Sequence, residues 1–180
     1  IPVKAVDEYV PRLLEEGRRV AICEQVEDAS EADGLVRREV VEVVTPGTVL
    51  EDSLLESKRN NFVAALAGGN PVGIACADLS TGEFELWACA PERLADDLAR
   101  LEPSEVVASE KRDGVPGGPW ARTGREGWQF DPDIACETLE RHYDVAGLGG
   151  FGLDRESEPH LVSAAGALVA YLEEVRPSGV

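Results

Sequence analysis

Histidine is scarce in this chain, with only His142 and His160 among 180 residues, and the four cysteines at 23, 76, 89 and 136 show no CxxC spacing. That scarcity removes the usual zinc sites and leaves no recognisable Ser-His-Asp or Cys-His pair, because those chemistries need imidazole beside a nucleophile or a metal. The phosphate-cradling pattern GxxxxGK[ST] is missing as well. The glycines of GLGGFGL, at residues 147–153, have no strand before them to make a dinucleotide cradle and are explained by a turn. No apolar run approaches the roughly 18 residues of a membrane span, and the opening IPVKAVDEYV has no basic region leading into an apolar stretch. Neither export nor membrane insertion is expected. The cysteines are then expected to be reduced thiols in or near the core of a cytoplasmic protein.

Basic residues are also few. Lys and Arg together number 17 against 35 Asp and Glu, giving a net charge of −18. Such a chain is repelled from nucleic acid at long range, so any contact with DNA must come from a local arrangement. The imbalance is uneven: residues 1–50 hold 6 basic and 11 acidic side chains, and residues 61–180 hold 9 and 21.

What is present is a hydrophobic content of 43%, enough for a real core. Val6, Val10, Leu13 and Leu14 recur at helical spacing and Gly17 is a suitable stop, so a helix is predicted over 5–16, with a kink or restart at Pro11. RRVAICEQV reads as a strand, followed by the acidic loop EDASEADG and a second, valine-rich strand, VRREVVEVV, which TPG closes as a turn. Arg37 and Arg38 fall inside this second strand. Successive strand side chains point to opposite faces, so a core behind it can accept at most one of them and the other must look outward. Two uses remain open for these arginines. They could pair with Glu39 or Glu42 on a solvated face, or they could contact an anion such as phosphate, which suits the guanidinium fork.

Residues 51–60 follow the Pro-Gly turn with weak periodicity and read as a linker. Beyond it, NFVAALAGG and NPVGIACADLSTGEFELWACA predict three consecutive antiparallel strands. A helix opens at Pro91, Leu94, Leu98 and Leu101 mark its face, and SEVVAS is the next strand. Residues 111–127 carry five glycines and two prolines and are predicted to form a long, mobile loop pinned by Trp120. GWQF is a candidate fifth strand. Asp131-Pro132 starts a helix to about Tyr143, with Ala135, Leu139 and Tyr143 expected on the sheet and Asp133, Glu137, Glu140, Arg141 and Asp144 outward. A last helix, 159–175, is apolar almost all round and belongs in the core. Three strands, a helix, a strand and further helices follow the order of a ribonuclease H-like α/β fold. A two-metal nuclease of that fold would use Asp78 with Glu105 or Glu110, but ADLSTG is ordinary turn chemistry and the acidic set is incomplete.

Taken together, IPVKAVDEYVPRLLEEGRRVAICEQVED, GLVRREVVEVVTPGT, LSTGEF, LARLEPSEV and AAGALVAYLEE resemble the bacterial MutS family of DNA mismatch-recognition ATPases. The resemblance implies an α/β chain in which 1–50 is the later part of the mismatch-binding domain, 51–60 a linker and 61–180 a ribonuclease H-like connector without catalysis of its own. It implies that Lys4 and Arg38, then Arg37, contact the backbone or minor groove of mismatched duplex DNA. The family's Phe-x-Glu wedge, its clamp and its ATP site are not in this chain, so ATP and Mg are expected only for the full-length protein, with no cofactor here. Implied partners are MutL, the other MutS domains and a second subunit of a homodimer, with no membrane. Glu137, Thr138 and Arg141 are the residues implied for the MutL contact. The other function classes weighed are a metal-dependent nuclease centred on Asp78 and a purely acidic interaction module.

Overall fold

The computed structural model describes residues 5–27, 34–49 and 60–176. The linker is therefore outside the described residues except for Asn60, as are Lys4 and most of the acidic loop.

The first lobe is a helix on a two-stranded ribbon. Helix α1 (Val6–Glu15) runs through Pro11 as one element, without the restart that is one of the two outcomes expected there from sequence. One missing donor there removes a single backbone bond, and burying Val10 and Leu14 on the ribbon offsets it. Gly17 ends the helix with φ of +72°, allowing the N–H groups of Gly17 and Arg18 to reach back to Leu14 and Leu13. Strands β1 (Val20–Gln25) and β2 (Arg38–Val44) pair antiparallel, with a register shift between Ile22 and Cys23. Burial is confined to one end. Val44 and Val49 join Val10 and Leu14 in a small core, whereas Val40 and Val41 are exposed.

The second lobe is a five-stranded mixed sheet. Strands β3 (Phe62–Gly68), β4 (Val72–Asp78) and β5 (Glu83–Cys89) are antiparallel as predicted, and β6 (Glu105–Ser109) and β7 (Ala121–Arg125) lie parallel to β3, in the order β5-β4-β3-β6-β7. The alternation of each strand sorts side chains to two faces. Leu66, Ile74, Val106 and Ala108 meet helix α2 (Leu94–Leu101) and Trp120 on one. Val63, Ala65, Ala67, Ala75, Ala77 and Val107 meet helix α4 (Pro159–Val175) on the other. The alanines on that second face let α4 lie close, and helix α3 (Pro132–Tyr143) covers α4 in turn. Helix α4 is apolar all round because it is the middle of three layers.

Three expectations are corrected. The fifth strand is β7, within the stretch read as a loop, and Gly127–Phe130 is a 3-10 turn instead of a strand. ARTGR has little intrinsic strand preference, and its extended form follows from pairing with β6. The inner face of α3 is Ala135 and Leu139 packed mainly on α4, with Phe84 and Leu86 alongside, while Tyr143 stays exposed against Phe151. Cys23 is exposed, unlike Cys76 and Cys89.

Helices α3 and α4 approach closely at Gly166 of α4. A Cβ placed there would sit 2.5 Å from both Cα and Cβ of Ala135, so only glycine permits this helix spacing. Gly166→Ala is expected to lower unfolding stability by about 1–3 kcal/mol through overpacking, measured by urea denaturation. An unchanged midpoint would show that α3 and α4 can separate freely.

Candidate nucleic-acid interface and the joint behind it

The two arginines of the ribbon have different surroundings. Arg37 precedes β2, and its carbonyl accepts a hydrogen bond from Val26 N–H. Its guanidinium pairs with the Glu39 carboxylate, and the Glu27 carboxylate accepts its backbone N–H. Arg38 faces Gln25 across the ladder, is exposed, and has no ion pair among the described residues. The outer end of the ribbon has no core behind it, so both arginines look outward. Lys4, the third candidate, lies outside the described residues.

At its other end the ribbon runs into a buried joint. Thr45 and Thr48 close the TPGT turn on themselves, with hydroxyls 2.9 Å apart and Thr48 N–H donating to the Thr45 carbonyl at 3.1 Å. Gly47 N–H donates to Glu105 at 3.1 Å. Glu105 is the first residue of β6 and is fully buried, 0% exposed, and it also accepts from Thr123 of β7 and Tyr171 of α4, each at 2.5 Å. Asn61 extends the same joint, donating through its side-chain amide to the Pro46 carbonyl at 3.1 Å and through its N–H to Asp78 at 3.0 Å. Arg19 of the first lobe and Arg125 of the second stack over the Tyr171 ring at 5.8 and 5.6 Å, and both reach Glu174. Burial pushes the Tyr171 hydroxyl well above the ordinary phenol range, and the Glu105 charge pushes it further, so it stays a donor. Gly47 lies in the TPG turn, but no sequence motif links it, Asn61, Thr123 or Tyr171 to Glu105, whose candidate role from sequence is that of a metal ligand.

Asp78 serves its turn. Ser80 donates to one oxygen through both N–H, at 2.8 Å, and hydroxyl, at 2.6 Å, and Asn61 N–H occupies the other. Among the described residues no three His, Cys, Asp or Glu side chains gather as a metal would require. On α3, Glu137 and Arg141 are exposed, and Arg141 joins His142 on Glu173, each at 3.0 Å. Thr138 is only 6% exposed. Its position beside Leu139 on the inner side of the helix corrects the expectation that it contacts a partner.

The fold and joint define a two-lobed α/β protein whose small ribbon lobe is fastened by hydrogen bonds to a mixed-sheet lobe. The chain matches the family model of MutS domain I over residues 1–53 and that of MutS domain II over 61–178. It is similar to the DNA mismatch repair protein MutS of Dehalococcoides mccartyi strain CBDB1, at 40% identity over 183 residues, which covers 100% of this chain and 21% of that protein. It is 42% identical over 192 residues to that of Symbiobacterium thermophilum, covering 100% of the chain and 22% of the relative, and 44% identical over 182 to that of Dinoroseobacter shibae, covering 96% and 20%. The chain belongs to the MutS family, and it spans about a fifth of the length of these relatives.

Asp78 gives a pH test of the joint. Burial alone would raise its carboxyl, but the hydrogen bonds from Ser80, Asn61 and Thr81 outweigh that and hold it below the ordinary range. A depressed carboxylate contributes stability above its unfolded pKa of about 3.9, and that contribution is lost as pH falls through the lower folded value. Asp78→Asn is expected to cost on the order of 2 kcal/mol at neutral pH, with the gap to wild type narrowing below about pH 4 in urea melts. A gap that stays constant with pH would assign the loss to shape.

Proposed function

We propose that this chain supplies DNA contacts and a partner-binding connector to a mismatch-recognition protein. The observation that carries the reading is Arg38, exposed and without an ion pair among the described residues at the open end of a ribbon in a chain whose family repairs DNA mismatches. Lys4, Arg37 and Arg38 are the proposed contacts, with Arg37 having to exchange Glu39 for phosphate. Such contacts fix register on the duplex and read no sequence. The division is 1–50 for the mismatch-binding part, 51–60 for the linker and 61–180 for the connector. The strand sequence, three antiparallel followed by two parallel to the first, supports a ribonuclease H-like description of that connector.

The connector acts by being held, not by catalysis. Its α3 face, through Glu137 and Arg141 without Thr138, is the proposed MutL contact, supported by the exposure of both side chains. ATP and Mg use, homodimer formation and contacts with further MutS domains are assigned to the full-length protein, since this chain has no phosphate loop. We place it in the cytoplasm; no helix among the described residues is long and apolar enough to cross a membrane.

In the full-length protein, Arg38→Glu is expected to weaken mismatch binding and lower the salt slope by about 1, as loss of one phosphate contact does. Arg122→Glu, an exposed reversal on the connector, is the control. Fluorescence titration over a salt series decides, and equal losses would leave only a general charge effect. Separately, Glu137→Lys with Arg141→Glu is expected to slow MutL association with mismatch-loaded protein while DNA affinity holds, because rim charges act on encounter. Surface plasmon resonance rates that do not change would assign this face to solvent.

A further inference from the structure

We propose that Glu105 is a positioning residue that locks the TPGT turn, and with it the arginine ribbon, to the connector, so that a load on the ribbon is felt directly by β6 and α4. The inference rests on the DNA-contact reading of Arg38. It is carried by the way one buried carboxylate collects its donors: Gly47 N–H from the first lobe, Thr123 from β7 and Tyr171 from α4. A buried carboxylate that loses a donor is left with unmet charge, so the turn cannot leave the connector without exposing that deficit. The backbone leaves no slack either. A Cβ on Gly47 would meet Val63 Cβ at 2.8 Å and Glu105 Cβ at 2.9 Å, so the turn is seated too close for any side chain at this position. Arg19 and Arg176 secure the periphery, on Glu174 and on Glu42 respectively, each a pair between lobes. The joint is thus polar at its centre, charged at its rim and closed to alternative seating.

The test uses the full-length protein and hydrogen exchange read by mass spectrometry, with and without a mismatched duplex. Glu105→Gln replaces an acceptor-only group with an amide that presents donors to donors, acting from the connector. Gly47→Ala pushes the turn and the connector apart from the ribbon side and leaves every connector residue chemically unchanged. In wild type, duplex binding should slow exchange in residues 45–49 and in 105–109. In both variants residues 45–49 should exchange about tenfold faster without DNA, a change expected when a local opening becomes easier, while 72–78 stay protected. Duplex should still bind, and the slowing at 105–109 should be lost. Retention of that slowing in both variants overturns the proposal. Should Glu105→Gln fail to fold, Tyr171→Phe, which removes one donor, joins Gly47→Ala as the second variant. A failure of the DNA-contact reading is distinguishable: Arg38→Glu would then leave duplex affinity unchanged, whereas a failed joint leaves the Arg38 effect intact and the slowing at 105–109 present in the variants.

Discussion

A buried carboxylate, Glu105, with no ion pair among the described residues is the constraint around which the two lobes are arranged. Transferring an ionised group from water into a protein interior costs several kcal/mol even after relaxation, so Glu105 has to be offset by donors placed in advance. Three come from elements that are not neighbours in the chain. Each donor fixes a piece of backbone: Gly47 the end of the ribbon, Thr123 the edge strand β7, and Tyr171 the rotation of α4. Because Tyr171 also carries Arg19 and Arg125 over its ring, positive charge is held near the carboxylate without entering the core. The α4 register that presents Tyr171 to Glu105 also places Gly166 opposite Ala135, so the seating of α3 depends on the same choice.

The acidic balance of the chain takes on meaning through where its arginines end up. Arg19, Arg125, Arg141 and Arg176 are each engaged by a carboxylate from another element, Glu174, Glu173 or Glu42, and serve the fold. Arg37 is engaged within its own ribbon. Arg38 has no such engagement among the described residues, and the end of β2 on which it stands is not backed by a core. Long-range repulsion from a net charge of −18 and a local phosphate contact are compatible because screening limits the first to about 8–10 Å at ordinary ionic strength. The proposed contact surface is small, and its sign differs from that of the whole chain.

Much of the fold was legible because its signals are local. Short apolar runs bounded by turns in β3 and β4, alternation in β5, proline at the start of α3 with Asp131 capping it, and the apolar run of α4 each name their element within a dozen or so residues. The TPG turn is equally local. What escaped was non-local. ARTGR becomes a strand only because β6 offers an edge, and GWQF, with the better strand composition, lies past the end of that edge. Tyr143 has the right spacing for the inner face of α3, but Phe151 offers it a surface partner beyond the helix. The Glu105 donors stand 58, 18 and 66 residues away along the chain, and no spacing rule connects positions so distant. A glutamate before a short valine strand looks like an exposed flank until the tertiary fold surrounds it.

The chemistry of the joint explains why a hydrophobic interface would not serve equally well. Apolar surfaces attract in proportion to the area they bury and tolerate sliding, because dispersion is nearly indifferent to small changes of direction. Hydrogen bonds to a fixed carboxylate are strong only within a narrow range of angle and distance, and a donor displaced from it forfeits the bond while the charge remains buried. Replacing Glu105 and its donors with packed aliphatic groups could leave stability unchanged, as often holds for buried ionic groups. The orientation of the ribbon would then rest on Val43 against the connector core, the Asn61 bond to Pro46 and the ion pairs at the rim. If the ribbon contacts a duplex as proposed, the angle between it and the connector has to be single-valued for that contact to be transmitted, and directional bonds at the joint supply that where burial by itself would not.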